Sequence, residues 1–231
     1  MAAGPILLLA LVAVVGGAIA YVAFRVDAKR RAALQAFAAS NGWSYAATDD
    51  GLADRFRGAP FGTGDNRKVR NVLHGPRSGR EMLAFDYSYT TSTTDGQGHR
   101  SSTTHRYAVC SLRLPVPLPG LELSPESALT RMASAVGLGD VELESEDFNR
   151  VYRVRARDQK FAYDVLHPRT MQALLSRRPL HLRLQDADAL CIEKDRLTSM
   201  ELLERLSTLE LLVTGIPPFV WSDHSAGGAR A

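Results

Sequence analysis

No charged side chain occurs between Met1 and Phe24, and the run Ile6–Phe24 reads ILLLALVAVVGGAIAYVAF. At about 1.5 Å per residue such a run spans about 28 Å as a helix, close to the roughly 30 Å hydrocarbon core of a bilayer. A helix of a soluble core rarely runs so far without a polar face. A cleaved signal peptide is the other alternative, since Ala18-Ile19-Ala20 fits a small-x-small cleavage rule, but no Lys or Arg precedes the run. Residues 1–24 are therefore read as a transmembrane anchor. Arg25, Lys29, Arg30 and Arg31 follow it directly. Basic flanks stay on the cytoplasmic side, so the expected protein is single-pass in the cell membrane. Its amino terminus would lie outside and its large carboxyl-terminal domain in the cytoplasm.

The remainder of the 231-residue chain, whose formal charge is +3, is long enough for one well-buried domain. The basic cluster after the apolar run supplies part of the charge excess and suits an anionic leaflet. The lipid bilayer is thus one expected partner, an unidentified protein is another, and nucleic acid is not expected. Cys110 and Cys191 have no metal-site spacing and are expected to be reduced and buried in a cytoplasmic domain; outside the cell they could pair.

Read in order, residues 25–42 continue as a juxtamembrane helix, with Ala33, Leu34, Phe37 and Ala38 at helical spacing and Asn41-Gly42 as its stop. A domain over 43–221 comes next, divisible into lobes 43–119 and 120–221. The first lobe is β-rich. Trp43–Tyr45 and Val69–Leu73 read as strands. Arg80–Thr91 alternates so that Leu83, Phe85, Tyr87 and Tyr89 share a face, and Arg106–Leu114 is its partner. The Thr-rich stretch between them turns at Asp95–Gly98 and reads as the tip of a long hairpin. His99 and His105 near that tip have no carboxylate or thiol at ligand spacing, so no metal is expected there. Gly62 and Gly64 lack the rest of a phosphate loop, and no cofactor is expected.

Pro115, Pro117 and Pro119 suggest an extended connector between the lobes. Ser124-Pro125-Glu126 then opens a helix carrying Leu129, Met132, Ala133 and Val136, with Gly137 and Gly139 ending it. Ser145 and Asp158 are helix caps, and Pro168 begins a further helix. Between the caps, Tyr152, Val154 and Ala156 alternate with Arg153, Arg155 and Arg157, which predicts a half-buried strand with an arginine face. Leu180–Leu184 and Ala189–Glu193 read as an antiparallel pair around Asp186. Thr198–Glu201 is a capping box opening a Leu-rich helix, and 222–231 is too small and polar to fold.

The pattern Phe148, Tyr152, Val154, Asp158, Ala162, Leu166, Pro168, Met171 and Leu174 resembles a bacterial family of membrane-associated proteins of unknown function. The chain looks like an uncharacterised single-pass membrane protein of actinobacterial type. The resemblance implies a shared fold and brings no catalytic residues with it.

The expected fold class is thus α+β: a transmembrane helix, then a mixed domain of antiparallel strands and helices. The expected function is an interaction or scaffold domain at the cytoplasmic membrane face, with Arg30, Arg31, Arg153, Arg155 and Arg157 as contacts for an anionic surface. The bland alternative is that Glu142, Glu144 or Glu146, or a neighbouring strand, neutralises the last three. An enzyme would have to use Glu144, Glu146, Asp147, Asp158 and His167 as acid–base groups. An extracytoplasmic domain released by cleavage is the third possibility.

Overall fold

The computed structural model describes residues 3–126 and 137–227, with side chains at 11, 13–126 and 137–225. Helix α1 spans Ala3–Ser40 without a break. Strands β1 (Ser44–Thr48), β2 (Asp65–Arg77), β3 (Arg80–Thr94) and β4 (Arg100–Pro125) come after it. Then come β5 (Gly139–Val141), α2 (Glu146–Val151), β6 (Tyr152–Ala156), α3 (Gln159–Val165) and α4 (Pro168–Leu175). The chain closes with β7 (Leu182–Glu193), α5 (Ser199–Gly215) and α6 (Pro218–Gly227). The seven strands form one antiparallel sheet in the order β1-β2-β3-β4-β6-β5, and β7 also pairs with β4.

Among the described residues no helix is long and apolar enough to cross a membrane. This corrects the expected transmembrane anchor, and with it the single-pass placement with an outside amino terminus. The apolar side chains from Ala13 onward share one helix with the basic cluster. Helix α1 joins that run to Arg25, Asp27, Lys29 and Arg30 in one unbroken element. The mixed antiparallel α+β domain stands.

Side-chain alternation sorts the core onto the two faces of the sheet. One face carries Leu73, Met82, Ala84, Ala108, Cys110 and Leu112, covered by Leu34 and Ala38 of α1 and by the inward leucines of α5. The other carries Val69, Phe85, Tyr87, Tyr89 and Tyr107, covered by Phe56 and Phe61 from the segment before β2. The aromatic face expected for β3 is therefore an interior one.

Position 119, expected as the boundary between 43–119 and 120–221, lies inside β4. β4 runs through Pro115, Pro117 and Pro119 instead of ending there. The prolines are tolerated because β3 pairing stops at Leu112 and the β7 register slips between Arg113 and Leu118 and again before Leu121, so missing N–H donors interrupt no regular ladder. Likewise Asp186, at φ 53, is a kink inside β7, both halves of which pair with β4; between the two segments expected to pair with each other, the Ile192 N–H donates to His181 O at 3.0 Å. Ser124 and Pro125 belong to β4; the helix expected around Leu129–Val136 lies outside the described residues. Residues 222–227, expected to be unfolded, continue α6.

The caps agree closely with the sequence reading. Ser145 accepts from the Phe148 N–H, and Asp158 from the Phe161 N–H. Thr198 accepts from the Glu201 N–H, but its hydroxyl also donates to the Glu201 carboxylate, so that box is not reciprocal. Close approach matters most at Gly75, where a Cβ would collide with the Trp43 ring, itself held by an indole N–H bond to Pro76 O at 2.9 Å. Gly75→Ala is expected to cost about 1–3 kcal/mol through overpacking. Urea unfolding checks this, and a change below about 0.5 kcal/mol would mean that the ring shifts freely.

Candidate functional site

On the α1-covered face, the sheet changes from apolar to polar at Asp86. A one-residue bulge in β2 prepares this change. Asn71 adopts φ 51, and the register slips between Arg70 and Leu73. The slip turns Lys68 and Arg70 onto the face that carries Ala84 and Asp86. Asn71 Nδ2 donates to Asp86 Oδ2 at 2.6 Å, and its Oδ1 accepts from the Tyr45 hydroxyl at 2.8 Å.

Asp86 is the meeting point of four segments. Besides Asn71, it receives Arg30 of α1 at 2.8 Å and the Leu197 N–H, just before α5, at 2.7 Å. Arg30 also donates to Leu197 O at 3.0 Å. Burial alone would lower the Arg30 pKa, but the Asp86 and Asp27 carboxylates outweigh it and raise it. Asp27 gathers Arg30, Arg31 and Arg196 at 3.2, 3.5 and 2.9 Å. Burial would raise its pKa, yet the Arg30 hydrogen bond and the three guanidinium charges hold it below the usual carboxylate range. Arg30 and Arg31, expected to face an anionic surface, are thus ion-paired, and Arg30 holds the helix to the sheet.

Beyond Asp86 the same face opens into a groove of about 340 Å³ between α1 and the sheet. Direct cross-strand partners share a face. Lys68, Ser88 and Arg106 therefore form one row across β2, β3 and β4, with Arg70 and Asp86 in the next row and Thr90 and Thr104 beyond. Six cationic side chains line the groove against two carboxylates, Asp27 and Asp86.

The other anticipated site residues are dispersed. Arg153 and Arg155 both bind Asp140 of β5, at 2.6 Å for the closest Arg153 contact and 3.0 Å for Arg155. Their hydrogen bonds bring the Asp140 carboxyl down to about 2. A neighbouring strand therefore supplies their acid, one carboxylate shared by two guanidiniums, and Glu142, Glu144 and Glu146 do not pair with them. Arg157 lies apart, beside a cavity of about 610 Å³ that Arg57 and Arg183 also line. Glu144 is exposed, and Glu146 and Asp147 pair with Arg150. Asp158 is the cap of α3, and His167 Nε2 lies 3.0 Å from Gly215 O. None of these acid–base candidates lines any of the three most prominent cavities among the described residues. His99 pairs with Asp95, while His105 stacks on Tyr89. Cys110 and Cys191 are direct cross-strand partners and free, fully buried thiols, and burial pushes Cys110 up to about 12.

Sequence reading missed a second charged cluster, on the aromatic face. Glu122 Oε1 lies 2.7 Å from His181 Nε2 and 3.2 Å from Arg183. Arg183, 2% exposed, also donates to Arg57 O at 3.0 Å and Ala59 O at 2.8 Å. It thereby fastens the segment carrying Phe56 and Phe61. Burial alone would raise the Glu122 carboxyl, but the His181 hydrogen bond and the Arg183 charge bring it to about 2.

The arrangement defines a class: a single antiparallel sheet with a long amino-terminal helix latched across one face. The crystal structure of the mycobacterial trehalose monomycolate transport factor A, TtfA, is similar, with TM-score 0.61 and 15% identity over 82% of this chain and 96% of that one. At that identity the likeness shows the fold. TtfA comes from an actinobacterial source, in keeping with the kind of family that the Phe148–Leu174 pattern resembles. No family model and no curated protein matches the chain.

Asp86→Ala should cost about 2–3 kcal/mol, since it removes the closer carboxylate from the partly buried Arg30 and leaves the Asn71 amide and the Leu197 N–H without their acceptor. Chemical denaturation measures this, and a loss under about 0.5 kcal/mol would remove Asp86 from its central place. Glu122 gives a pH test. Its folded pKa of about 2 lies below the ordinary 4.5, so its stabilisation is complete above pH 4.5 and is lost as pH falls toward 2. The gap in unfolding free energy between wild type and Glu122→Gln should be on the order of 2–3 kcal/mol at pH 6 and shrink by pH 2.5. A gap independent of pH would contradict the ionised pairing.

Proposed function

We propose that this chain is a non-enzymatic interaction domain that docks a partner protein on the amino-terminal part of α1 and holds it at a fixed position relative to the sheet. The observation that carries the reading is a contrast within one helix. Val14, Ile19 and Phe24 are 68%, 65% and 62% exposed, whereas Leu34 and Ala38 are 1% exposed. A contiguous apolar helical surface of that size in water favours a covering surface. The Arg30–Asp86 pair and the buried Leu34 make the helix part of the domain, so whatever covers its apolar end is positioned with it. The acid–base alternative is disfavoured because Glu144 and His167 line none of the three most prominent cavities among the described residues. The likeness to TtfA, a transport factor, is compatible with a membrane-associated, non-enzymatic role.

A photo-crosslinking residue at Ile19, introduced into the full chain in its own cells, should yield a discrete protein adduct. The adduct should disappear in the Val15→Asp/Val22→Asp variant while the thermal melt of the domain is unchanged. No adduct from Ile19, adducts confined to lipid, or the same adducts from a crosslinker at exposed Met200 would each overturn the proposal.

A further inference from the structure

We infer that the groove between α1 and the polar end of the sheet is a phosphate-binding site, taking a small ligand with one or two phosphoryl groups. This inference is independent of the docking role of α1.

The first ground is the distribution of charge. The two carboxylates in the groove are already committed: Asp27 to Arg30, Arg31 and Arg196, and Asp86 to Arg30, Asn71 and the Leu197 N–H. Among the described residues Lys68, Arg70 and Arg106 have no carboxylate within ion-pair distance. Arg153 and Arg155 share Asp140 and Arg178 has Glu204, whereas single exposed arginines such as Arg100 and Arg157 are also unpaired among the described residues; the groove differs in bringing three such cations together. Three cations gathered in a concavity repel one another, and the walls focus their field, so a bound anion relieves the cost.

The second ground is geometry. Lys68 and Arg106 are the ends of a row whose middle member is Ser88. Neighbouring strands are about 4.8 Å apart, so the two backbones stand about 10 Å apart with a half-buried serine between them. Long flexible side chains from both ends can close over an anion lying above Ser88. Thr90 and Thr104 form the next pair along the strands and add hydroxyl donors. Arginine forks match phosphate oxygens two at a time, and Lys supplies a point charge. Donor hydroxyls and cations favour a tetrahedral oxyanion over a metal ion, and Asp65, the cross-strand partner of Thr90, does not line the groove.

The third ground is size. A volume of about 340 Å³ lies at the small end of ligand cavities, enough for a phosphorylated small molecule or a single lipid headgroup. The chemistry that those two sources share is the phosphoryl group.

The test is calorimetric titration of the full chain with inorganic phosphate, pyrophosphate and sn-glycerol 3-phosphate at low and moderate salt. Saturable binding of at least one is expected, weakening as salt rises. Preference for pyrophosphate or phosphate assigns a free phosphorylated ligand, and preference for glycerol phosphate assigns a headgroup; either supports the site. Lys68→Gln and Arg106→Gln, both at exposed positions and checked by circular dichroism, should each weaken binding at least tenfold. Arg153→Gln/Arg155→Gln should leave it unchanged. If none of the three probes saturates, or if the Arg153/Arg155 change weakens binding as much as the groove changes do, the site is refuted. Amide shifts centred on Ser88 and Thr104 provide a readout that does not depend on any substitution.

Discussion

The Asp86 carboxylate is the contact on which the rest of this structure depends. It takes a guanidinium from α1, an amide from Asn71 in β2 and a backbone N–H from the loop entering α5. Hydrophobic packing is non-directional: Leu34 and Ala38 would bury comparable area against the sheet in several orientations. The charged hydrogen bonds are directional, and breaking one partner leaves a partly buried charge. The apolar contacts therefore supply the attraction of α1 for the sheet, and Arg30–Asp86 supplies its angle.

That carboxylate faces its partners only because β2 contains an extra residue. Val72 and Leu73 are adjacent apolar residues in a strand that otherwise alternates, and Asn71 precedes them. The break in alternation, beside a residue that tolerates φ near 50°, is a sequence signal for a bulge. A short strand over Val69–Leu73 hides that signal, because it absorbs both apolar residues without needing a bulge. With that strand left regular, Lys68 and Arg70 fall on the aromatic face, and the groove does not form.

What was legible was local. Helix caps at Ser145, Asp158 and Thr198, the arginine alternation of β6 and the aromatic alternation of β3 rest on spacing within one element. Relations between elements were not legible. Asp140 and not a glutamate pairs with Arg153 and Arg155, because β5–β6 pairing decides which acid faces them. Three prolines suggested a boundary, yet β4 passes through them, since pairing on both its edges is interrupted there. The apolar run of α1 and its continuation to Ser40 were legible as helix, but the attachment of that helix to the sheet through Arg30 and Asp86 was not.

The two faces of the sheet use the same device. On one, Asp86 of β3 fixes α1. On the other, Glu122 of β4 holds Arg183, which in turn grips the backbone at Arg57 and Ala59 and seats Phe56 and Phe61 over the aromatic face. Each covering element meets the sheet through apolar contacts that fix no orientation of their own, and each is oriented by one carboxylate on a central strand. The two carboxylates differ in their surroundings. Glu122 is spent inside the core and leaves no open charge. Asp86 sits at the end of the core, so cations gathered beside it outnumber the acids and face a concavity. The latch that sets the angle of the apolar helix thus also leaves a basic groove alongside it, and a ligand bound there would touch the same helix whose apolar end is proposed as a docking surface.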